Sequence, residues 1–235
     1  MQGLSAQSES RVALVRHARS AHVHTGWIDA SGFRAWREAY EAAGIVEGER
    51  APADLERLAA SAGLVISSDA PRAIASAHLL APGREIVVSP LLRELDLEGP
   101  DLGGLRLPLA GWALAVGVRT LLLTLRRQHP SASEAARVDK AAAWLEELSL
   151  QHPLIVVVTH ASFRRQLSRR LTQKGWQAEP GRRSLRPWST WLFGRPPCLS
   201  PSSPGEGEWG GGSPRGAHSA SFSSSAGARM LRVGK

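Results

Sequence analysis

The chain contains no asparagine, three lysines among its 29 cationic residues, one tyrosine and one cysteine, Cys198. A lone cysteine cannot close an internal disulfide or build a cysteine zinc cluster, which excludes a disulfide-stapled secreted domain. The scarcity of lysine shows that the net charge of +8 comes from an arginine-favouring composition. That makes basicity weak evidence for nucleic acid, although anionic ligands remain the first partners to test. Apolar residues at 43% and charged residues at 21% exclude a wholly disordered or collagen-like chain. Residues 1–10 are polar and lack the apolar core of a signal peptide, so the expected location is cytoplasmic. The longest apolar stretch, Leu107 to Leu125, has about the length of a bilayer span but carries Arg119 inside it, together with Pro108, Gly111 and Gly117. It reads as a buried or site-covering helix, with no membrane partner.

What is present divides the 235 residues in two. In residues 196–235, Gly, Pro and Ser make up 22 of 40 positions and the few apolar residues show no period. This stretch reads as a disordered Gly/Pro/Ser-rich tail. The spacing of Gly205, Gly207 and Gly210 matches a dinucleotide-binding fingerprint, but no strand precedes it and no helix follows, so the match is accidental. Residues 1–195 form the expected folded domain, without internal repeats. There, short apolar runs at Val12–Val15, Leu64–Ser67, Glu85–Val88 and Leu154–Val158 read as buried strands, with a last strand at Trp188–Phe193.

Helices fall between them. Asp54–Ala62 is stopped by Gly63, and Pro71–Leu80 begins with proline in its first turn after Ser68 and Asp69 as possible caps. Ser131 and Glu134 form a capping-box pair before a helix with Val138, Ala141, Ala142, Leu145 and Leu148 on one face. Phe163, Leu167 and Leu171 mark the stripe of another, with Arg164, Arg165, Arg169 and Arg170 on its solvated remainder, where no interleaved aromatics point to nucleic acid. Alternating strands and helices predict an α/β fold, a mostly parallel central sheet with helices on both faces. Ligands of such sheets bind outside the carboxyl ends of the strands.

Those ends carry the chemistry. The first strand runs into Arg16 and His17, the second into Ser67 and Ser68 with Arg72 at the start of the next helix, and the long β-branched strand into Thr159 and His160. Guanidinium forks and helix N-termini suit a phosphoryl group. A neutral imidazole beside it is a nucleophile that takes the phosphoryl group and passes it to water. An alkoxide leaving group needs a proton that the attacking imidazole cannot also supply, and Glu94, beyond the third strand, is the best-placed acid. His22 and His24 lie near His17, but no carboxylate or cysteine joins them at ligand spacing, so neither a metal nor another cofactor is expected. Trp27, Trp36 and Trp112 are candidates for a substrate wall or for core packing.

Four blocks then resemble one family. Leu14 to Ser20, containing Arg16-His17-Ala18, resembles the Arg-His-Gly signature of the histidine phosphatase superfamily, the phosphoglycerate-mutase-like fold. Ser68 through Arg72-Ala73 to Ser76-Ala77, then Leu92-Arg93-Glu94, then Val158-Thr159-His160 resemble its remaining blocks in the family's order. The resemblance implies a phosphohistidine on His17, a phosphate pocket of Arg16, Arg72 and His160, and Glu94 as proton donor. Ala18 departs from the commonest glycine, Arg19 stands where mutases carry an acidic or amide residue, and the mutase asparagine is impossible here. These departures favour a phosphatase acting on a small phosphorylated substrate over a mutase. The sequence leaves a phosphohistidine-protein phosphatase and a catalytically weak phospho-ligand-binding relative as alternatives, and it leaves the oligomeric state open.

Overall fold

In a computed structural model, which describes residues 10–96, 99–125, 132–181 and 183–195, each of the runs read as a strand contributes to one six-stranded sheet. The elements, in order, are β1 (Ser10–Arg16), β2 (Trp27–Ile28), α1 (Ala30–Ala42), α2 (Ala53–Ser61), β3 (Leu64–Ser68), α3 (Pro71–Leu80) and β4 (Val87–Ser89). A short 3-10 turn at Pro90–Leu92 follows, then β5 (Leu107–Pro108), α4 (Leu109–Leu125), α5 (Ala132–Ser149), β6 (Leu154–Thr159), α6 (Ala161–Gln173), β7 (Gln177–Ala178) and β8 (Thr190–Arg195). The strand order is β4-β3-β6-β1-β8-β7. The first four are parallel to one another, β8 runs antiparallel to β1, and β7 runs antiparallel to β8. The expected mostly parallel sheet is therefore present.

Both faces of the sheet are buried, which is why its central strands are continuous apolar runs rather than alternating ones. On one face Val12, Leu14, Ile155 and Val157 pack against Val138, Leu145, Phe163 and Leu167 of α5 and α6. On the other, Ala13, Val15, Val156 and Val158 pack against Leu55 and Ala59 of α2 and Ala73, Ala77 and Leu80 of α3. Successive strand residues thus serve opposite helix layers.

Several boundaries differ from the sequence expectation, each for a local reason. The third predicted strand enters the sheet only at Val87, because Arg84 is tied to the carbonyls of Ala59 and Ala62 at 2.6 and 2.7 Å and holds the preceding turn against the end of α2. The last strand starts at Thr190, since Trp188 occupies a left-handed turn with φ 61°. Ala70, not Ser68 or Asp69, is the N-cap of α3; the Ser68 hydroxyl accepts from Ala70 N, and Asp69 is paired with Arg93 at 2.6 Å. Arg164 is not on a solvated face. It is fully buried, donates to the carbonyls of Leu14, Ser184 and Ser189, and stacks on Trp191. Burial pulls its guanidinium down to about 10. The predicted cap Ser131 and the predicted tail 196–235 lie outside the described residues.

Helix α1 and the two-stranded β2–β5 ribbon were not expected. Asp29 caps α1 by accepting from Gly32 N at 2.8 Å, and Phe33 stacks on Trp112 of α4 with ring centroids 4.8 Å apart. Trp112 is fully buried and donates from its indole to Ile28 O at 2.9 Å, which joins α4 to the ribbon. Leu114, Val118, Leu121 and Leu122 lie on the exposed side of α4. Among the described residues no helix is long and apolar enough to cross a membrane.

Candidate active site

Sheet register brings the predicted residues together. Arg16 lies opposite Thr159, and Ser67 opposite Val158, so β1, β3 and β6 end within about one residue of each other. His17 N donates to Thr159 O at 3.0 Å and prolongs the pairing one step past the strand. The rings of His17 and His160 come to 5.1 Å centroid to centroid. Arg72 bridges from α3, its Nη2 donating to His160 Nδ1 at 3.2 Å.

His17 is buried, with its Nδ1 at 2.6 Å from Ala18 O. Only a protonated Nδ1 makes that hydrogen bond, which assigns the other tautomer position, Nε2, to the lone pair. Burial, then the Arg72 guanidinium, hold the imidazole down to about 3, against the raising effect of the Ala18 carbonyl; Arg16 and Arg164 add smaller lowering effects. The ring is neutral throughout the physiological range. The turn that carries it is locked to α3: Ala18 N donates to the Ser76 hydroxyl at 2.9 Å, which itself donates to Arg72 O at 2.6 Å. Ser76 follows Arg72 by four residues and so shares its helix face.

His160 has both ring nitrogens engaged, Nδ1 as acceptor from Arg72 and Nε2 against the Ser68 hydroxyl at 2.9 Å. Burial, then the neighbouring His17 and Arg72, hold it well below the usual histidine range. Arg72 is fully buried; besides His160 it meets the Tyr40 carbonyl at 2.9 Å and the Glu41 carboxylate at 2.9 Å, and it lies 4.4 Å above the Tyr40 ring. Arg16 donates from Nη1 to Leu185 O, and its backbone is held by Trp188 N and Ser189 O. The Nε atoms of both Arg16 and Arg72 are buried without a hydrogen-bond partner. Buried donors left unpaired cost free energy unless an anion or water meets them.

Glu94 sits at the N-terminus of α6, whose N-cap residue His160 makes no side-chain cap. Its Oε1 accepts from Phe163 N at 2.8 Å and Leu95 N at 3.0 Å, and its Oε2 from Ser162 N at 3.2 Å. Burial pushes the carboxyl up from its ordinary range and outweighs the lowering effect of the three backbone donors and of Arg72. A carboxyl so balanced is suited to exchanging a proton.

Two residues position the Glu94 segment, a role that the sequence reading gave to neither, although it placed Thr159 at a strand end. Arg137 of α5 donates to the carbonyls of Leu91, Arg93 and Glu94 at 2.8 to 3.1 Å, and the Thr159 hydroxyl donates to Leu92 O at 2.7 Å. Nothing in their local sequence marks them, because the partners are backbone carbonyls about 45 and 67 residues away. Of the tryptophans, Trp27 is 60% exposed, Trp36 lies against Tyr40 in the wall above the site, and Trp112 is core. Among the described residues no group of three or more His, Cys, Asp and Glu side chains is arranged to hold a metal ion.

No family model matches the sequence. No curated protein matches it either. Solved structures do. A mycobacterial protein described as hydrolase 2 superposes with a TM-score of 0.50 at 22% identity, over 71% of this chain and 73% of that one. A phosphoserine phosphatase from Entamoeba histolytica, in complex with 3-phosphoglyceric acid, gives 0.46 at 17% identity over 70% and 80%. A mycobacterial glucosyl-3-phosphoglycerate phosphatase gives 0.43 at 20% over 70% and 82%. Together with the sheet order, the superposition at 0.50 shows that this chain shares the fold of that mycobacterial hydrolase.

Proposed function

We propose that the protein is a phosphatase that hydrolyses a small phosphomonoester through a phosphohistidine on His17. The observation that carries this reading is the His17 tautomer: Nδ1–H is spent on Ala18 O, so Nε2 holds its lone pair beside two arginines with unpaired buried Nε donors. In the first step Nε2 attacks phosphorus and the bond from phosphorus to the ester oxygen breaks. The leaving oxygen takes the proton of the Glu94 carboxyl. In the second, the Glu94 carboxylate takes a proton from water, whose oxygen attacks phosphorus and releases His17 with inorganic phosphate. Arg16 and Arg72 stabilise the transferring group as preorganised donors, and their charge performs the neutralisation that other phosphoryl-transfer sites take from a metal. His160 acts on the phosphate through Arg72, which it holds at 3.2 Å.

The test is labelling with a radioactive phosphate ester, with chelator present, stopped by denaturation at alkaline pH. The wild-type chain is expected to carry acid-labile phosphate at His17. His17→Ala is expected to lose the label and to lower kcat by at least about 10³-fold while keeping its circular dichroism spectrum. Label that persists in His17→Ala would overturn the assignment.

A further inference from the structure

We infer that the leaving group accepted at this site is an apolar alcohol, a single ring or a short branched hydrocarbon joined to the ester oxygen, rather than a polyol, an amino acid or a sugar. The inference rests on the phosphatase reading for where the ester lies, and on a cavity for what it carries. That cavity, of about 190 Å³, opens beside Glu94. Phe33, Trp36 and Tyr40 form one wall, spaced three and four residues apart along α1; Leu109, Ala113 and Val116 of α4 face them.

The aromatic wall starts at the phosphate pocket itself. Tyr40 lies under the Arg72 guanidinium at 4.4 Å, Trp36 stacks on Tyr40 at 5.2 Å, Phe33 on Trp36 at 5.9 Å, and Trp112 on Phe33 at 4.8 Å. A phosphoryl group on Arg72 with its ester oxygen toward Glu94 directs its first carbons along these ring faces. Behind the wall the Gly99 backbone closes on the Phe33 ring, where a Cβ would come to 2.9 Å.

Among the described residues lining the cavity, the one buried side-chain donor without a partner is the Trp36 indole N–H, which meets a single acceptor. Arg37 at the rim is paired with Asp96 at 2.7 Å, and Glu41 with Arg72 at 2.9 Å, so both charges serve the protein's own partners. A hydroxyl-rich leaving group would lose its water here with few groups to replace it. An apolar cavity of about 150 Å³ is known to accept benzene, so the volume fits one ring with a short link and not a nucleoside.

The full-length chain is tested on benzyl phosphate against glycerol 3-phosphate. Benzyl alkoxide is no better a leaving group than glycerol alkoxide, so intrinsic reactivity does not favour benzyl. The expected kcat/KM ratio is at least about tenfold in favour of benzyl. Ala113→Phe, which fills the cavity from α4, is expected to reduce that ratio at least about tenfold, and Trp36→Ala to reduce it less. Binding of benzylphosphonate against 2,3-dihydroxypropylphosphonate, measured calorimetrically, reads the same preference without chemistry. Equal or reversed preference in the wild type overturns the inference while leaving the phosphatase reading intact, and it does so whether or not either variant folds. Preferential binding of benzylphosphonate with no turnover of any ester supports the cavity and overturns the phosphatase reading. Binding of neither phosphonate, with no turnover of either ester, overturns both.

Discussion

The fully buried guanidinium of Arg72 is paired at 2.9 Å with the carboxylate of Glu41, whose side chain is 47% exposed at the end of α1. A phosphate oxygen arriving at Arg72 meets a carboxylate already there, and the helix's last carbonyls beside it. If Arg72 holds the phosphate as proposed, Glu41 competes with substrate and product for one cation.

Removing that competing charge should tighten anion binding. Glu41→Gln is expected to lower the inhibition constant for inorganic phosphate by roughly 3- to 10-fold, a modest effect because the carboxylate is half solvated. Product-inhibition kinetics measure it. An unchanged or higher constant would show that Glu41 orients Arg72 rather than opposing phosphate.

Glu94 accepts from the first backbone N–H groups of α6, and its proposed acid role separates from this structural one by substrate. Glu94→Gln is expected to slow alkyl phosphates by roughly 10²–10⁴ and activated aryl phosphates far less, because a phenolate leaves without a proton. The raised carboxyl of Glu94 also sets the alkaline side of the wild-type profile on alkyl phosphates: activity falls as pH rises through its elevated value. His17, neutral down to about 3, places no acid limb above that pH. Equal losses on both substrate types would remove Glu94 from the acid role.

Acid should destabilise the domain through its two buried histidines. Both are held below their ordinary value in the folded state, His17 to about 3 and His160 well below it. Their contribution is present above pH 6.5 and is lost as pH falls below it, for His17 down to about 3. Glu94, raised in the fold, acts in the opposite sense: its contribution is present below about 4.5 and is lost as pH rises through its folded value. Urea midpoints between pH 7 and 4 should decline, and His17→Gln should decline about half as steeply. A flat wild-type series in that window would mean that the histidines are solvated or already charged.

The two arginines of α3 and α6 show where sequence and tertiary structure part company. Arg72 could be assigned to the site from sequence because it follows the end of an apolar run by a fixed few residues, and strand ends in a parallel sheet gather at one edge. Arg164 has the same local pattern as its neighbours Arg165 and Arg169, and only the loop at Ser184–Ser189, folding over it with three carbonyl partners on the chain, makes it a buried anchor.

By itself the sequence determined the layered α/β architecture and the convergence of Arg16, His17, Arg72 and His160, because continuous apolar runs, their polar ends and the helices between them are local patterns with one economical packing. It also located Glu94, by its place just past the third strand. Tertiary structure alone decided the His17 tautomer, the engagement of Arg72 by Glu41, the hold of Arg137 and Thr159 on the Glu94 segment, and the aromatic cavity between α1 and α4. Each of these depends on pairing between residues or backbone groups whose separation in the chain leaves no periodic trace, and on burial, which turns an ordinary arginine, histidine or glutamate into one with a fixed partner and a shifted charge.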